Sequence, residues 1–306
     1  MKRVVLIPVA MVSLLRIATA LLLAANGANQ TKVVLLGTGT PNADPERSGP
    51  AVAVVVNGTA YLVDCGPGVV RRAVAAEQKN GIPALNVTKL QKVFITHLHS
   101  DYTLGLPDLV FTPWVLGRIA PLEAYGPRGL KDMTDNIERA WTKDIDIRIH
   151  GLEQGNTTGY KVQAHEVEPG VIYKDANVTV TAFEVKHGSW DQAFGYKFQT
   201  PDRIIVISGD TPPTDAVAKA RDSCDVLLHE VYNSRPLSDK TQPTLRYFQA
   251  FHTTAQELGT IATAAHPKLL VLYHQIFEGL PEHDLLDQVK QAYKGNVASG
   301  RDLDVY

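Results

Sequence analysis

The sequence predicts an α/β chain folded as a four-layer αββα sandwich. Short apolar, β-branched strands recur in both halves of the 306 residues. Helical stretches fall after or between the strands in each half, and no Pro/Gly/Ser-rich linker separates the halves. Hydrophobic residues make up 44% and charged residues 20%, which is an ordinary globular balance with core enough to fold without disulfides. The two cysteines, Cys65 and Cys224, are too few for a stapled scaffold. A formal net charge of −2 gives no bulk electrostatic reason to expect a nucleic-acid partner.

The first 28 residues differ in kind from the rest. Lys2 and Arg3 precede an apolar run from Val4 to Ala25, broken by Arg16, and the small residues Gly27 and Ala28 follow. This is the layout of a signal peptide, with 29–306 as the exported domain, periplasmic or secreted; an uncleaved anchor and a wrongly assigned start are the alternatives. No later stretch has the length and polarity of a membrane span.

Thr31 to Gly37 reads as a strand running into Gly37-Thr38-Gly39-Thr40-Pro41. No Lys-Ser/Thr follows and no helix opens there, so a tight turn at a sheet edge is expected rather than a phosphate loop. Asn57-Gly58 joins strands Ala51–Val56 and Ala60–Val63 as a hairpin. Cys65, at a strand end, is expected to be buried. A helix is expected from Gly66 to Ala76, then a buried strand at Val93–Ile95. Phe111, Trp114, Tyr125 and Trp141 could be core or line a substrate pocket, and Trp114 is assigned to substrate. Thr134 to Ile145 reads as helix, and Gly151 to Gly159 as a polar loop.

In the second half, strands are expected at Tyr160–Val167, Val178–Val185, Ala193–Gln199, Arg203–Ser208, Val226–His229 and Leu269–Tyr273. Helices are expected at Pro212–Ala220, capped by Thr211, at Ala255–Ala265, with Thr254 and Glu257 as a capping box, and at Leu285–Lys294.

The chemistry concentrates in Thr96-His97-Leu98-His99-Ser100-Asp101-Tyr102, directly after the strand Val93–Ile95. Imidazole nitrogens and a carboxylate at a strand end suit a borderline divalent ion such as zinc. His187, Asp210, Glu230 and His274 also fall at strand ends, and His252 precedes the capped helix. Strand ends on one edge of a sandwich are neighbours in space.

The His-x-His-x-Asp run resembles the signature of the metallo-β-lactamase superfamily, in its ribonuclease Z-like and arylsulfatase-like branch. The resemblance spans about Lys32 to Gln275. It implies a first metal held by His97, His99 and His187, with Asp210 bridging to a second metal held by Asp101 and His274. It also implies that His252 moves a proton or stabilises charge, and Glu230 could orient it. The branch has a histidine where this chain has Tyr102. A phenol is a poor ligand unless ionised, so one tight zinc site is expected beside a weaker or more selective second one. The second site's carboxylates tilt it toward manganese or iron. Tyr102 could instead donate a hydrogen bond to substrate.

The resemblance implies a metal-dependent hydrolase that cleaves a phosphodiester or aryl sulfate ester with a metal-bound hydroxide, and the leader adds the expectation that it is exported. The alternatives are a weakened metal-binding or interaction protein on the same scaffold, and a lactonase or β-lactamase. Transfer-RNA processing is disfavoured, because the long arm of those enzymes has no room between His187 and Asp210 and an export signal would remove the chain from the cytosol. The expected partner is a small-molecule ester, with no nucleic acid, no membrane span after signal removal, and a homodimer allowed.

Overall fold

The computed structural model describes residues 30–220, 224–233, 235 and 240–306, so the leader expected at 1–28 lies outside it. The first half builds β1 (Lys32–Gly37), β2 (Ala51–Val56), β3 (Thr59–Val63), α1 (Val69–Asn80) and β4 (Lys92–Phe94). It continues through α2 (Ser100–Thr103), α3 (Leu106–Val115), β5 (Leu122–Gly126), α4 (Leu130–Ala140), α5 (Thr142–His150) and β6 (Val162–Glu166). The second half gives β7 (Gly170–Lys174), β8 (Thr179–Val185), β9 (Ala193–Gln199), β10 (Ile204–Ile207), α6 (Asp215–Ala220) and β11 (Val226–Tyr232). Then come α7 (Gln242–Phe251), α8 (Ala255–Ala265), β12 (Leu269–Ile276), α9 (Glu282–Ala292) and β13 (Val297–Ser299).

Strands β1 to β6 lie in sequence order in one sheet, and β13 to β7 in reverse order in a seven-stranded second sheet. Side-chain alternation makes the layers. In β2, Ala51, Ala53 and Val55 face a core shared with Val69 of α1, Leu109 of α3 and Leu130 of α4. Val52, Val54 and Val56 face the other way, into the core between the sheets, where Phe94 meets Tyr196 and Phe198. A third core packs Leu227 and Leu270 against Val217, Leu258 and Leu285 of α6, α8 and α9. Three cores between four layers give the expected αββα sandwich. Residues 303–306 pair with β1 through Leu303 N–H to Leu35 C=O at 2.7 Å and mutual Val33–Tyr306 bonds at 2.9 Å, which covers that sheet edge.

Most boundaries fall where the sequence put them, including the Asn57-Gly58 hairpin and the Thr254–Glu257 capping box. Others do not. The single helix expected over Thr134 to Ile145 is two, α4 and α5, broken at Trp141. Thr211 does not cap α6; it is buried, its hydroxyl donates to Pro212 C=O at 2.8 Å, and the helix starts at Asp215. Strand β11 runs on through Glu230 to Tyr232, so Glu230 does not sit beyond a strand end. Helix α7 escaped the sequence reading because its aromatics weaken the helical signal; packing of Phe248 on Tyr232 and Ile276 holds it.

Candidate metal centre

The donors gather at one edge of the sandwich, where β4, β8, β10, β11 and β12 deliver their C-terminal ends or bulges. Asp64, at φ 60 just after β3, accepts the Thr96 N–H at 2.8 Å and so ties down the turn leaving β4. The Thr96 hydroxyl stands 3.0 Å from His97 Nδ1, which leaves His97 Nε2 for the site. Gly66 lets the chain pass under α2: a Cβ there would meet the Asp101 carbonyl at 2.5 Å. His187 is set by its ring Nδ1 against the Phe251 carbonyl at 3.0 Å. Asp210 follows Gly209, whose φ of 63 favours glycine and where a Cβ would collide with the Phe194 carbonyl at 2.6 Å.

Between β11 and β12 the register slips, with His229 opposite Leu272 but Val231 opposite Gln275. This bulge turns Glu230 and His274 together into the site. His274 takes a φ of 43, a conformation that a β-strand histidine adopts only when its surroundings impose it.

The geometry separates two groups of donors that share Asp210. His97 Nε2 and His187 Nε2 lie 3.1 and 3.0 Å from His99 Nδ1. Asp210 Oδ2 stands 4.0 Å from His97 Nε2 and 3.9 Å from His187 Nε2. Four donors around an ion with metal–nitrogen bonds of about 2.0–2.1 Å stand roughly 3.3 Å apart, so this group needs little adjustment to close on one. The second group is Asp210, Glu230, His252 and His274, one donor atom from each lying within 4.8 Å of the others. His274 Nδ1 is 3.4 Å from Asp210 Oδ1, and His252 Nδ1 is 3.3 Å from Glu230 Oε2. His252 Nδ1, His274 Nδ1 and Glu230 Oε2 are buried without a hydrogen-bond partner, a costly state for polar atoms that a cation would relieve. The residues present therefore fit a metal.

The electrostatics of His97 and His187 agree. Burial, and then the neighbouring imidazoles, push His97 well down and His187 to about 3, so both rings are neutral ligands. Burial likewise lowers His252, to about 4, against the pull of Asp210. His274 is raised to about 9, because Asp210 and Asp101 outweigh its burial. Burial lifts Asp210 to about 6 and Glu230 to about 8.

The structure thus brings together His97, His99, His187, Asp210, Glu230, His252 and His274. Asp101, expected in the second group, stands beside it, 3.3 Å from His274 Nε2. Tyr102 is fully buried and its phenol donates to Asp210 Oδ1, so it does not reach a substrate as a surface donor. Burial and the Asp210 charge push its ionisation well above the usual phenol range, which keeps it a donor. Trp114 is a correction. It lies in the core beneath the first sheet, 3% exposed, with its indole N–H on the Asn156 carbonyl, and does not line the cavity over the donors. Asp64, Thr96, Trp190 and Tyr247 were missed. Only Asp64, a carboxylate directly after a buried strand, carried a sequence signal of the kind used for the others.

A cavity of about 150 Å³ opens over the site, bounded by Thr40, Pro41, Asn42, Asp101, Tyr247, His252 and His274. The glycine-rich turn after β1 thus forms a wall of the site as well as an edge of the sheet.

A four-layer αββα fold with two groups of metal donors sharing one aspartate at its edge defines a metal-dependent hydrolase. The chain belongs to the beta-lactamase superfamily, whose domain model matches residues 59–275. It is 31% identical over 278 residues to a ribonuclease Z of Mycobacterium bovis, covering 89% of this chain and 96% of that one. Human tRNase Z, short form, superposes with a TM-score of 0.65 at 26% identity, over 90% of this chain and 98% of that one. The metallo-beta-lactamase fold protein YhfI of Bacillus subtilis gives 0.68 at 19% identity over 91% of this chain and 100% of that one, which speaks for the fold.

These relatives overturn the expectation of a small-molecule ester with no nucleic-acid partner. That expectation leaned on a near-zero net charge, which averages over the whole surface. A phosphodiester seated at clustered metal donors needs no basic patch to be held locally.

Proposed function

We propose that this chain is a metal-dependent phosphodiesterase acting on RNA, with zinc as the resident ion. The observation that carries the reading is the pair of donor groups meeting at Asp210 on the floor of an open cavity. The ribonuclease Z and tRNase Z relatives support phosphodiester cleavage in RNA as the reaction. Nitrogen-rich donors in the first group favour zinc.

When bound, metal ions at such a site supply Lewis-acid polarisation of a phosphoryl oxygen and a nucleophile at neutral pH. His97, His99, His187 and Asp210 Oδ2 would hold the first ion, and Asp210 Oδ1 with His274 would face the second. Tyr102 fixes the Asp210 carboxylate by its hydrogen bond, so that the two oxygens keep their separate directions. Glu230, held by the Thr253 N–H at 2.8 Å, sets its other oxygen 3.3 Å from His252 Nδ1 and so fixes where that ring sits. The imidazole so oriented stabilises charge on the departing oxygen or returns its proton. The leader read at residues 1–28 adds export to this proposal, which cell fractionation of the full chain tests.

The test of function is turnover of a short RNA oligonucleotide, a bis-aryl phosphate and an aryl sulfate by purified protein with defined metal content. Phosphodiester cleavage that stops with a chelator and returns with zinc is the expected result. Turnover of the sulfate alone would sink the phosphodiesterase reading.

A further inference from the structure

Beside the metal donors the structure places aromatic surface that the chemistry leaves unused. Tyr247, on α7, lines the cavity and is 46% exposed. Its ring stacks on Phe251, one turn on, with centroids 4.6 Å apart and planes 26° apart. Trp190 is 37% exposed and stands edge-on to the His99 imidazole at 5.0 Å. Phe251 lies against both His99 and His187, at 6.1 and 4.9 Å between centroids.

This surface is anchored to the donors rather than resting on a mobile loop. The Phe251 carbonyl faces His187 Nδ1 at 3.0 Å, and the Gly188 N–H donates to Ala250 C=O at 2.9 Å. A Cβ on Gly188 would overlap the Phe251 ring at 1.9 Å, so a glycine there is what lets the ring close down on the His187 turn. The Trp190 indole N–H points at His99 Nε2 at 2.9 Å. Large aromatic faces left open to water at the mouth of a site, and fixed to its donors, suit a planar ring as partner.

We infer that Tyr247, backed by Phe251, is a stacking subsite for the nucleobase next to the scissile phosphodiester. This rests on the RNA phosphodiesterase reading and sharpens it. Phosphate is met by the donor groups and the adjoining base by a π-face, which makes the subsite tolerant of base identity but intolerant of a missing base. Tyr247 would then determine specificity through binding, not through the bond-breaking step.

The experiment compares kcat/KM for an RNA oligonucleotide with that for the same strand carrying one abasic residue, moved stepwise across the cleaved position. For the wild-type holoenzyme, removal of the one base that stacks is expected to lower kcat/KM by about tenfold or more, with the loss in KM. In Tyr247→Leu the intact-to-abasic ratio should collapse toward one, and in Tyr247→Phe, which keeps the ring, it should persist. The abasic scan on wild type does not depend on any variant folding. Phosphodiester turnover with no position sensitive to base removal, or a ratio unchanged in Tyr247→Leu, would overturn the subsite while leaving the phosphodiesterase reading intact. Absence of turnover on every phosphodiester would overturn both.

Discussion

Replacing Tyr102 with phenylalanine removes one oxygen from the centre of the site and leaves the ring. The phenol donates to Asp210 Oδ1, while Oδ2 faces His97 and His187 at 4.0 and 3.9 Å. The hydrogen bond therefore holds one carboxylate oxygen so that the other points at the three histidines. A buried hydrogen bond to a charged group is worth about 1.5–3 kcal/mol net. Loss of a group that orients a metal ligand usually weakens binding by about 10–100-fold, which is the same free energy read another way. Tyr102→Phe is accordingly expected to lower first-site zinc affinity by about 10–100-fold, measured by competition with a fluorescent chelator. Guanidinium unfolding of the metal-free protein should show a loss of about 2 kcal/mol. Unchanged affinity would mean that Asp210 is held by its other neighbours. Tighter binding would mean that the phenol competes with the ion for Asp210, and either result would refute the reasoning.

Three further outcomes follow from the same structure. His252→Ala should lower kcat on an RNA phosphodiester by about 10²–10⁴-fold with the ion held by His97, His99 and His187 retained, since the ring acts on the reacting group; metal analysis beside kinetics checks both halves. Arg118 is buried, and its guanidinium donates to the Leu90, Leu109, Val110 and Gly159 carbonyls at 2.7–3.3 Å. Arg118→Leu leaves these acceptors stranded and should cost about 3–5 kcal/mol in denaturant unfolding. Asp175 is raised by burial, but hydrogen bonds from Tyr61, from the Val178 and Asn177 N–H groups and from Tyr173 outweigh this and hold it below the ordinary carboxylate range. Its stabilisation is present above the unfolded value of about 3.9 and is lost as pH falls through the lower folded value. Asp175→Asn should therefore flatten the acid side of a stability-against-pH curve, and an unchanged acid limb would contradict this.

Much of the fold was legible because burial writes itself into composition. Strands β2, β9 and β12 and the helix capped by Thr254 and Glu257 are apolar runs with clear stops. The weak elements were those whose stability comes from elsewhere. Strand β7 is short and largely exposed, and α7 depends on Phe248 meeting Tyr232 and Ile276 across the chain. The donors could be read because histidine and aspartate at strand ends have few structural uses. Their partition could not. A bulge and a left-handed His274 bring Glu230, His252 and His274 together at Asp210, with Asp101 3.3 Å from His274. No spacing rule encodes that choice. Trp114 was misplaced because large aromatics serve core and pocket equally well, and only packing distinguishes them. The partner was misjudged because net charge says little about what a local site can hold.

The most direct test of the central claim is phosphodiester turnover against metal content. The protein would be stripped with a chelator, returned stepwise to zinc, and followed on an RNA oligonucleotide, with His187→Ala alongside. Turnover that vanishes on stripping, returns with bound zinc and fails in the variant together with its metal is the predicted result. Turnover that persists in the stripped protein, or a His187→Ala protein that binds zinc and cleaves RNA as the parent does, would contradict the account.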